Sequence, residues 1–185
     1  MMAVVIALFV AVSGPPGSGK STVADPLAQQ LALPLIAKDT IKEALMDALG
    51  VRDVEASRQL GAAAIETMLA VAAASPVGAV LDGNFRPSLA AEDLRRLPGA
   101  VVEVFCRCDP DLSRQRYEAR ADTRHPGHFD EERALSGGPW EGEMSEPVAG
   151  GWPLLEVDTA RPVDIDAVVA FVRRASGGCS DPSSR

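Results

Sequence analysis

The chain has 185 residues, with 26 acidic against 18 basic side chains and a formal charge of −8. That length suits one domain with a substantial core, and the acidic balance argues against a protein that coats nucleic acid non-specifically. Three widely placed cysteines, Cys106, Cys108 and Cys179, indicate no disulfide framework; they read as core thiols of a reducing compartment.

In chain order, Ala3 to Val12 is a charge-free apolar run, the pattern of a parallel strand buried on both faces. It resembles a signal-peptide core, but it lacks a basic flank, is too short to span a bilayer and leads straight into the next motif. A cytoplasmic protein without a membrane segment is expected. That motif, Gly14-Pro15-Pro16-Gly17-Ser18-Gly19-Lys20-Ser21-Thr22, fits G-x-x-x-x-G-K-[ST] at Gly14, Gly19, Lys20 and Ser21. Glycines let backbone N–H groups fold around phosphate oxygens, and a following helix N-terminus adds partial positive charge. Lys20 would reach the β- and γ-phosphates of ATP, and the Ser21 hydroxyl would ligate Mg²⁺. Val23, Ala24, Leu27, Ala28 and Leu31 recur at helical spacing behind the motif, with Pro26 expected near the first turns.

Leu33 to Ala37 reads as a second strand ending at Lys38-Asp39. The next helix has Thr40 and Glu43 spaced as a capping box and Ile41, Ala44, Leu45, Ala48 and Leu49 on one face; Gly50 ends it. Asp53 opens an Ala-rich helix that Pro76 stops, and Val77 to Leu81 is the third strand, with Asp82-Gly83-Asn84-Phe85-Arg86 just past its end. Ser88 is expected to cap a helix to Leu97, and Pro98-Gly99 turns into the strand Ala100 to Cys106. Asp109-Pro110 places an N-cap before a first-position proline, on a helix that carries Arg116 and Arg120, with Arg124 one turn further. Gly137 to Pro153, with Trp140 and Trp152, is expected as a long loop. Leu154 to Val157 is a last strand, and Asp164 opens a closing helix with Ile165, Val168, Val169 and Val172 inward. One domain over residues 1–176 and a disordered tail over 177–185 follow.

Strands alternating with helices mean an α/β fold with a mainly parallel sheet and ligands at the C-terminal edge of its strands. That edge collects the Gly14–Thr22 loop, Asp39, Asp82 to Arg86 and the segment after Val157. Asp82 ends an apolar strand, where a carboxylate would hold Mg²⁺ directly or through water; the plainer reading is an Asp-Gly turn. Asp39 lies where an acceptor hydroxyl would face the γ-phosphate, and could take its proton; the plainer reading is a helix cap, which Thr40 and Glu43 could supply instead. Arg116, Arg120 and Arg124 fall on one stripe if their helix runs through, a repulsive arrangement that a polyanion would stabilise. His125 and His128 bracket Pro126-Gly127 and are expected to shape a turn.

The phosphate loop, Lys38-Asp39-Thr40-Ile41-Lys42, Leu81-Asp82-Gly83-Asn84-Phe85 and Arg116…Arg120…Arg124-His125-Pro126-Gly127-His128 together resemble the small P-loop kinases. These include the polynucleotide 5′-kinase domain, gluconate kinase, chloramphenicol phosphotransferase and zeta toxins. The nearest likeness is to bacterial kinases with an AAA-type label but no AAA ring machinery, and it extends to about Phe171. The resemblance implies a five-stranded parallel sheet, ATP with Mg²⁺, an acceptor-site carboxylate at Asp39 and a lid over about 114–130 carrying Arg116, Arg120 and Arg124. It also implies that Asp158-Thr159-Ala160 lies along adenine, with Thr159 at the nucleotide. Lys42 stands where polynucleotide kinase has an arginine that clamps phosphate, which favours a hydroxyl-bearing small molecule over a nucleic-acid end as acceptor. Lys42, Asn84 and Arg86 are the further acceptor-side candidates. The implied activity is phosphotransfer to an antibiotic, nucleoside or sugar; a nucleotide-dependent switch or a toxin-like kinase working through a partner is the alternative.

Overall fold

The computed structural model describes residues 6–120, 124–129 and 142–177. Strand β1 (Ala7–Ser13) lies at the centre of a five-stranded sheet with β3 (Gly78–Asp82) on one side and β4 (Gly99–Arg107) on the other. The edges are β2 (Leu35–Ala37) and β5 (Leu154–Asp158); the order is β2-β3-β1-β4-β5 and every pairing is parallel. The strand alternation splits β1 between two cores. Val10 and Val12 join Val80, Val102, Val104 and Cys106 against α1 (Lys20–Leu31) and α6 (Ile165–Gly177). Phe9 and Ala11 face the other way, with Ala79 and Leu81, onto α3 (Val54–Ala73) and α4 (Pro87–Arg95). Each fully buried Val or Phe contributes about 1.5–3 kcal/mol, so β1 anchors both layers, which is why its sequence carries no charge.

Three caps form as the sequence predicts, among them Asp164 before α6, whose carboxylate accepts from Ala167 N at 3.0 Å. The Asp53 carboxylate accepts from Ala56 N at 2.8 Å and opens α3, and Asp109 accepts from Asp111 N and Leu112 N at 3.0 and 3.2 Å and opens α5 (Pro110–Glu118). Two do not. Helix α2 (Lys38–Leu49) starts directly from β2 with Ala37 at the N-cap and no side-chain cap, so Thr40 and Glu43 form no capping box. Helix α4 is capped at Arg86 with Pro87 in its first turn, which places Ser88 inside the helix. Pro26 also lies deeper than expected, in the interior of α1. Strand β1 begins at Ala7, and β3 runs one residue further than expected, so Asp82 ends the strand itself. In the segment between lid and β5, residues 142–153 contain one 3₁₀ turn, Glu143–Ser145; residues 137–141, with Trp140, and residues 178–185, with Cys179, lie outside the described residues. Among the described residues no helix is long and apolar enough to cross a membrane.

This topology puts the ends of β1, β2 and β3 beside one another: Ser13 leads into the phosphate loop, Ala37 into α2 with Asp39 in its first turn, and Asp82 faces both.

Candidate active site

The loop between β1 and α1 owes its shape to glycines at positive φ, +140° at Gly14, +78° at Gly17 and +79° at Gly19. A side chain at Gly14 would stand 2.6 Å from the Cys106 carbonyl oxygen, and one at Gly17 would run into the Ser113 carbonyl. The glycines are therefore needed to pack the back of the loop onto β4 and α5 as well as to open its front. Thr159 braces the loop from the end of β5, its hydroxyl donating to the Ser18 carbonyl at 2.7 Å. The Ser18 hydroxyl is buried and has no hydrogen-bond partner among the described residues. Lys20 Nζ donates to Pro15 O at 2.8 Å, folding across the loop it belongs to. Burial lowers the Lys20 pKa, opposed chiefly by the Asp82 carboxylate, while burial raises that of Asp82, opposed by Lys20 and Ser21.

Ser21 Oγ donates to Asp82 Oδ2 at 2.7 Å. The helix-start hydroxyl and the strand-end carboxylate, 61 positions apart in sequence, thus share one point at the foot of the loop. An oxygen pair of this kind, beside a buried amine and a loop opened by glycines, fits a triphosphate and its divalent cation.

Asp39 faces the loop across a cavity of about 730 Å³ whose walls include Lys20, Ser21, Thr22, Asp39, Asp82 and Arg120. Its side chain is half exposed and pairs with Lys38 Nζ at 2.9 Å and Arg124 Nη2 at 3.7 Å. Burial pushes the Asp39 pKa up, but Lys38, by charge and hydrogen bond, together with His128 and Arg124 outweighs it and holds the carboxyl well below the usual range. Asp39 is therefore ionised at neutral pH. Lys42, also in the wall, is fully buried, with Nζ donating to Ser57 Oγ at 2.8 Å. Asn84 and Arg86 line the same cavity from the turn after β3, and Met144 lines it from the segment before β5.

The three arginines do not form one helical stripe. Helix α5 ends at Glu118, Arg120 follows in a turn whose N–H donates to Tyr117 O, and Arg124 stands just before the 3₁₀ turn Pro126–His128. Arg120 and Arg124 line the cavity. Arg116 points elsewhere: its Nη1 donates to Thr159 O at 3.0 Å and approaches Cys108 Sγ at 3.6 Å. Arg124 lies over the Tyr117 ring, 4.7 Å from its centroid, and its Nη2 meets His128 Nδ1 at 3.2 Å. His125 does shape its turn, accepting from Gly127 N at 3.0 Å through Nδ1 while Nε2 meets Asp47. Cys106 is a buried thiol whose pKa burial pushes up to about 12, so it packs and does not react.

Sequence reasoning missed three participants. Lys38 was visible only as Asp39's neighbour, and His128 only as part of a turn, although it meets Glu43 Oε1 at 2.9 Å. Glu103 sits in the middle of β4, fully buried, and accepts from Ser13 Oγ, Val148 N, Ala149 N and Trp152 Nε1 at 2.7, 2.8, 2.9 and 3.2 Å. It ties the residue before the phosphate loop to the segment before β5. A lone acid in an otherwise apolar strand was the available signal.

The family model described as AAA domain matches residues 9–136. A candidate kinase from Chloroflexus aurantiacus J-10-fl is 34% identical, over 92% of this chain and 98% of that one, with a TM-score of 0.78. A gluconokinase from Sinorhizobium meliloti 1021 is 20% identical over 99% and 100% of the two chains, with a TM-score of 0.58. A shikimate kinase from Acinetobacter baumannii, solved with shikimate, is 17% identical over 96% and 97%, with a TM-score of 0.56; these last two share the fold. Among curated proteins none matches the sequence.

Proposed function

Because the chain belongs to the AAA domain family and is a small P-loop kinase, we propose that it moves the γ-phosphoryl group of ATP to a hydroxyl of a small molecule. The observation that carries this reading is the placement of Asp39 across one cavity from the Lys20–Ser21–Asp82 cluster, with Arg120 and Arg124 on the wall between. ATP would lie with its phosphates in the glycine loop, and Mg²⁺, held by Ser21 with Asp82 behind it, would supply charge neutralisation at the phosphates. Lys20 leaves the Pro15 carbonyl to meet the β- and γ-phosphate oxygens. Asp39 accepts a hydrogen bond from the acceptor hydroxyl and holds it in line with the γ-phosphorus. As the new O–P bond forms, the bond to the bridging β,γ oxygen breaks, ADP leaves with the electron pair, and the hydroxyl proton passes to Asp39. A carboxylate held this far below its usual pKa is a weak base, so its larger contribution is orientation, which suits a loose transition state that needs little proton removal. Arg120 and Arg124 act as lid arginines, facing the charge that develops on the transferring group.

The acceptor is read as a small molecule. Lys42 is withdrawn onto Ser57, away from a bidentate phosphate clamp, and the chain is acidic overall, both of which disfavour a nucleic-acid end. The gluconokinase and shikimate kinase relatives act on compounds of this size, and sugars and hydroxy acids are the first classes to try. The test is a screen of hydroxyl compounds for acceptor-dependent ADP release, with mass spectrometry of the product. A phosphorylated product supports the reading. ADP release at one rate whatever the acceptor, unaltered by loss of Asp39, would replace it with a nucleotide-hydrolysing switch.

A further inference from the structure

Arg124, whose Nη2 lies 3.7 Å from Asp39 Oδ2, is tied to helix α2 through a histidine of its own segment. Its Nη2 meets His128 Nδ1 at 3.2 Å, and the far nitrogen of that ring meets Glu43 Oε1 of α2 at 2.9 Å. Arginine only donates, so Nδ1 accepts, and Nε2 carries the ring hydrogen and donates to Glu43. The His128 side chain is 2% exposed, so water does not substitute for either contact. One turn further along α2, Asp47 meets His125 Nε2 at 3.1 Å. Acids four apart on one face of α2 therefore receive histidines three apart across the Pro126-Gly127 turn, and the same helix bears Asp39.

We propose that Glu43 and His128 are positioning residues for Arg124: through the His128 ring, α2 aims the lid arginine at the point where the phosphoryl group passes Asp39. This rests on the kinase reading above. It gives the Glu43 carboxylate, which caps nothing at the start of α2, a role at the lid. It also gives the Arg124 guanidinium two fixed contacts, the Tyr117 ring at 4.7 Å and the His128 nitrogen, which set its plane. The relay needs a neutral ring. Burial and then Arg124 lower the His128 pKa against the raising effect of the Glu43 hydrogen bond, with Lys42 lowering it further and Asp39 raising it. Helix α3 packs on the same turn and lines the cavity with Arg58 and Glu66.

Two measurements on the full chain test this. The chain has two histidines, so His125→Asn assigns both ring signals in an NMR titration. His128 should titrate below 6.5, Arg124→Ala should raise its midpoint, and Glu43→Gln should lower it. Independently, affinities are measured for MgADP and for MgADP with aluminium fluoride, a mimic of the transferring group. His128→Leu should weaken the aluminium fluoride complex by about tenfold while MgADP affinity changes less than about twofold. His128→Asn, which keeps an acceptor near the Nδ1 position, should restore most of that loss. An unmoved His128 midpoint in Arg124→Ala, or equal losses for both ligands in the Leu and Asn variants, would overturn the relay. A wild type that binds the aluminium fluoride complex no tighter than MgADP would instead sink the phosphoryl-transfer reading on which it stands.

Discussion

The side of the cavity proposed for the phosphate donor and the side proposed for the acceptor are held by different means. The donor side is built from backbone: glycines at positive φ, a loop packed on the Cys106 and Ser113 carbonyls, and a Thr159 hydroxyl on the Ser18 carbonyl. The acceptor side is built from charged side chains: Lys38 and Arg124 on Asp39, His128 on Glu43, His125 on Asp47. Backbone packing resists pH and salt and gives a preformed phosphate cradle. Side-chain pairs respond to protonation, to salt and to bound ligands.

Substitutions should separate the two sides. The largest effect is expected at Lys20→Ala. Its amine is buried in the loop, so transfer should fall by at least about 10³-fold while the thermal midpoint stays within a few degrees, because the burial cost relieved offsets the attraction to Asp82 that is lost. Turnover and calorimetry on one preparation check it; near-normal turnover would mean that the loop is not the donor site.

Arg120→Ala and Arg116→Ala sharpen the comparison, because Arg120 lines the cavity and Arg116 binds behind the loop. Arg120 lines the cavity, so its loss should lower kcat by about 10²-fold with ADP affinity little changed. Arg116 holds the Thr159 carbonyl behind the phosphate loop, so its loss should cost about 1–2 kcal/mol of stability and some ADP affinity, with kcat of the bound complex nearly kept. Equal kinetic profiles for the two variants would restore a single arginine stripe.

The smallest effect is the response to acid, which should come from the acceptor side. His128 stays neutral in the fold below its ordinary 6.5, so on acidification the unfolded chain takes up a proton that the folded state refuses. Stability is full above pH 6.5 and declines below it. Asp39 adds a second decline below about pH 3.8, its unfolded value, because its folded pKa is depressed; Asp82, whose pKa is raised, acts in the opposite sense. Thermal midpoints at pH 7 and 5.5 should differ more in the wild type than in His128→Asn.

The same contrast governs what could be read from the chain itself. The donor side was legible because its parts are contiguous: an apolar strand, nine loop residues and an amphipathic helix, with Asp82 recognisable from the strand before it. The parallel five-stranded sheet followed from the alternation of elements. Glu43 and His128 lie 85 positions apart, and Glu103 binds a segment 45 to 49 positions away, so neither partnership leaves a local pattern. Thr40 and Glu43 matched a capping box by spacing, but the chain enters α2 directly from β2 and leaves no free turn for the cap. The arginine stripe failed because α5 stops at Glu118, which spacing alone does not reveal.

The central claim, that Asp39 serves the acceptor and not the helix, is tested most directly by Asp39→Asn. ATP affinity and thermal midpoint should stay close to wild type, because the side chain is half exposed, caps nothing and stands across the cavity from the donor loop. Transfer to the acceptor found in the screen should fall by about 10²- to 10⁴-fold, because the group that orients the hydroxyl and takes its proton loses its charge. Undiminished transfer by Asp39→Asn would contradict the account and move the acceptor site toward Asn84 and Arg86.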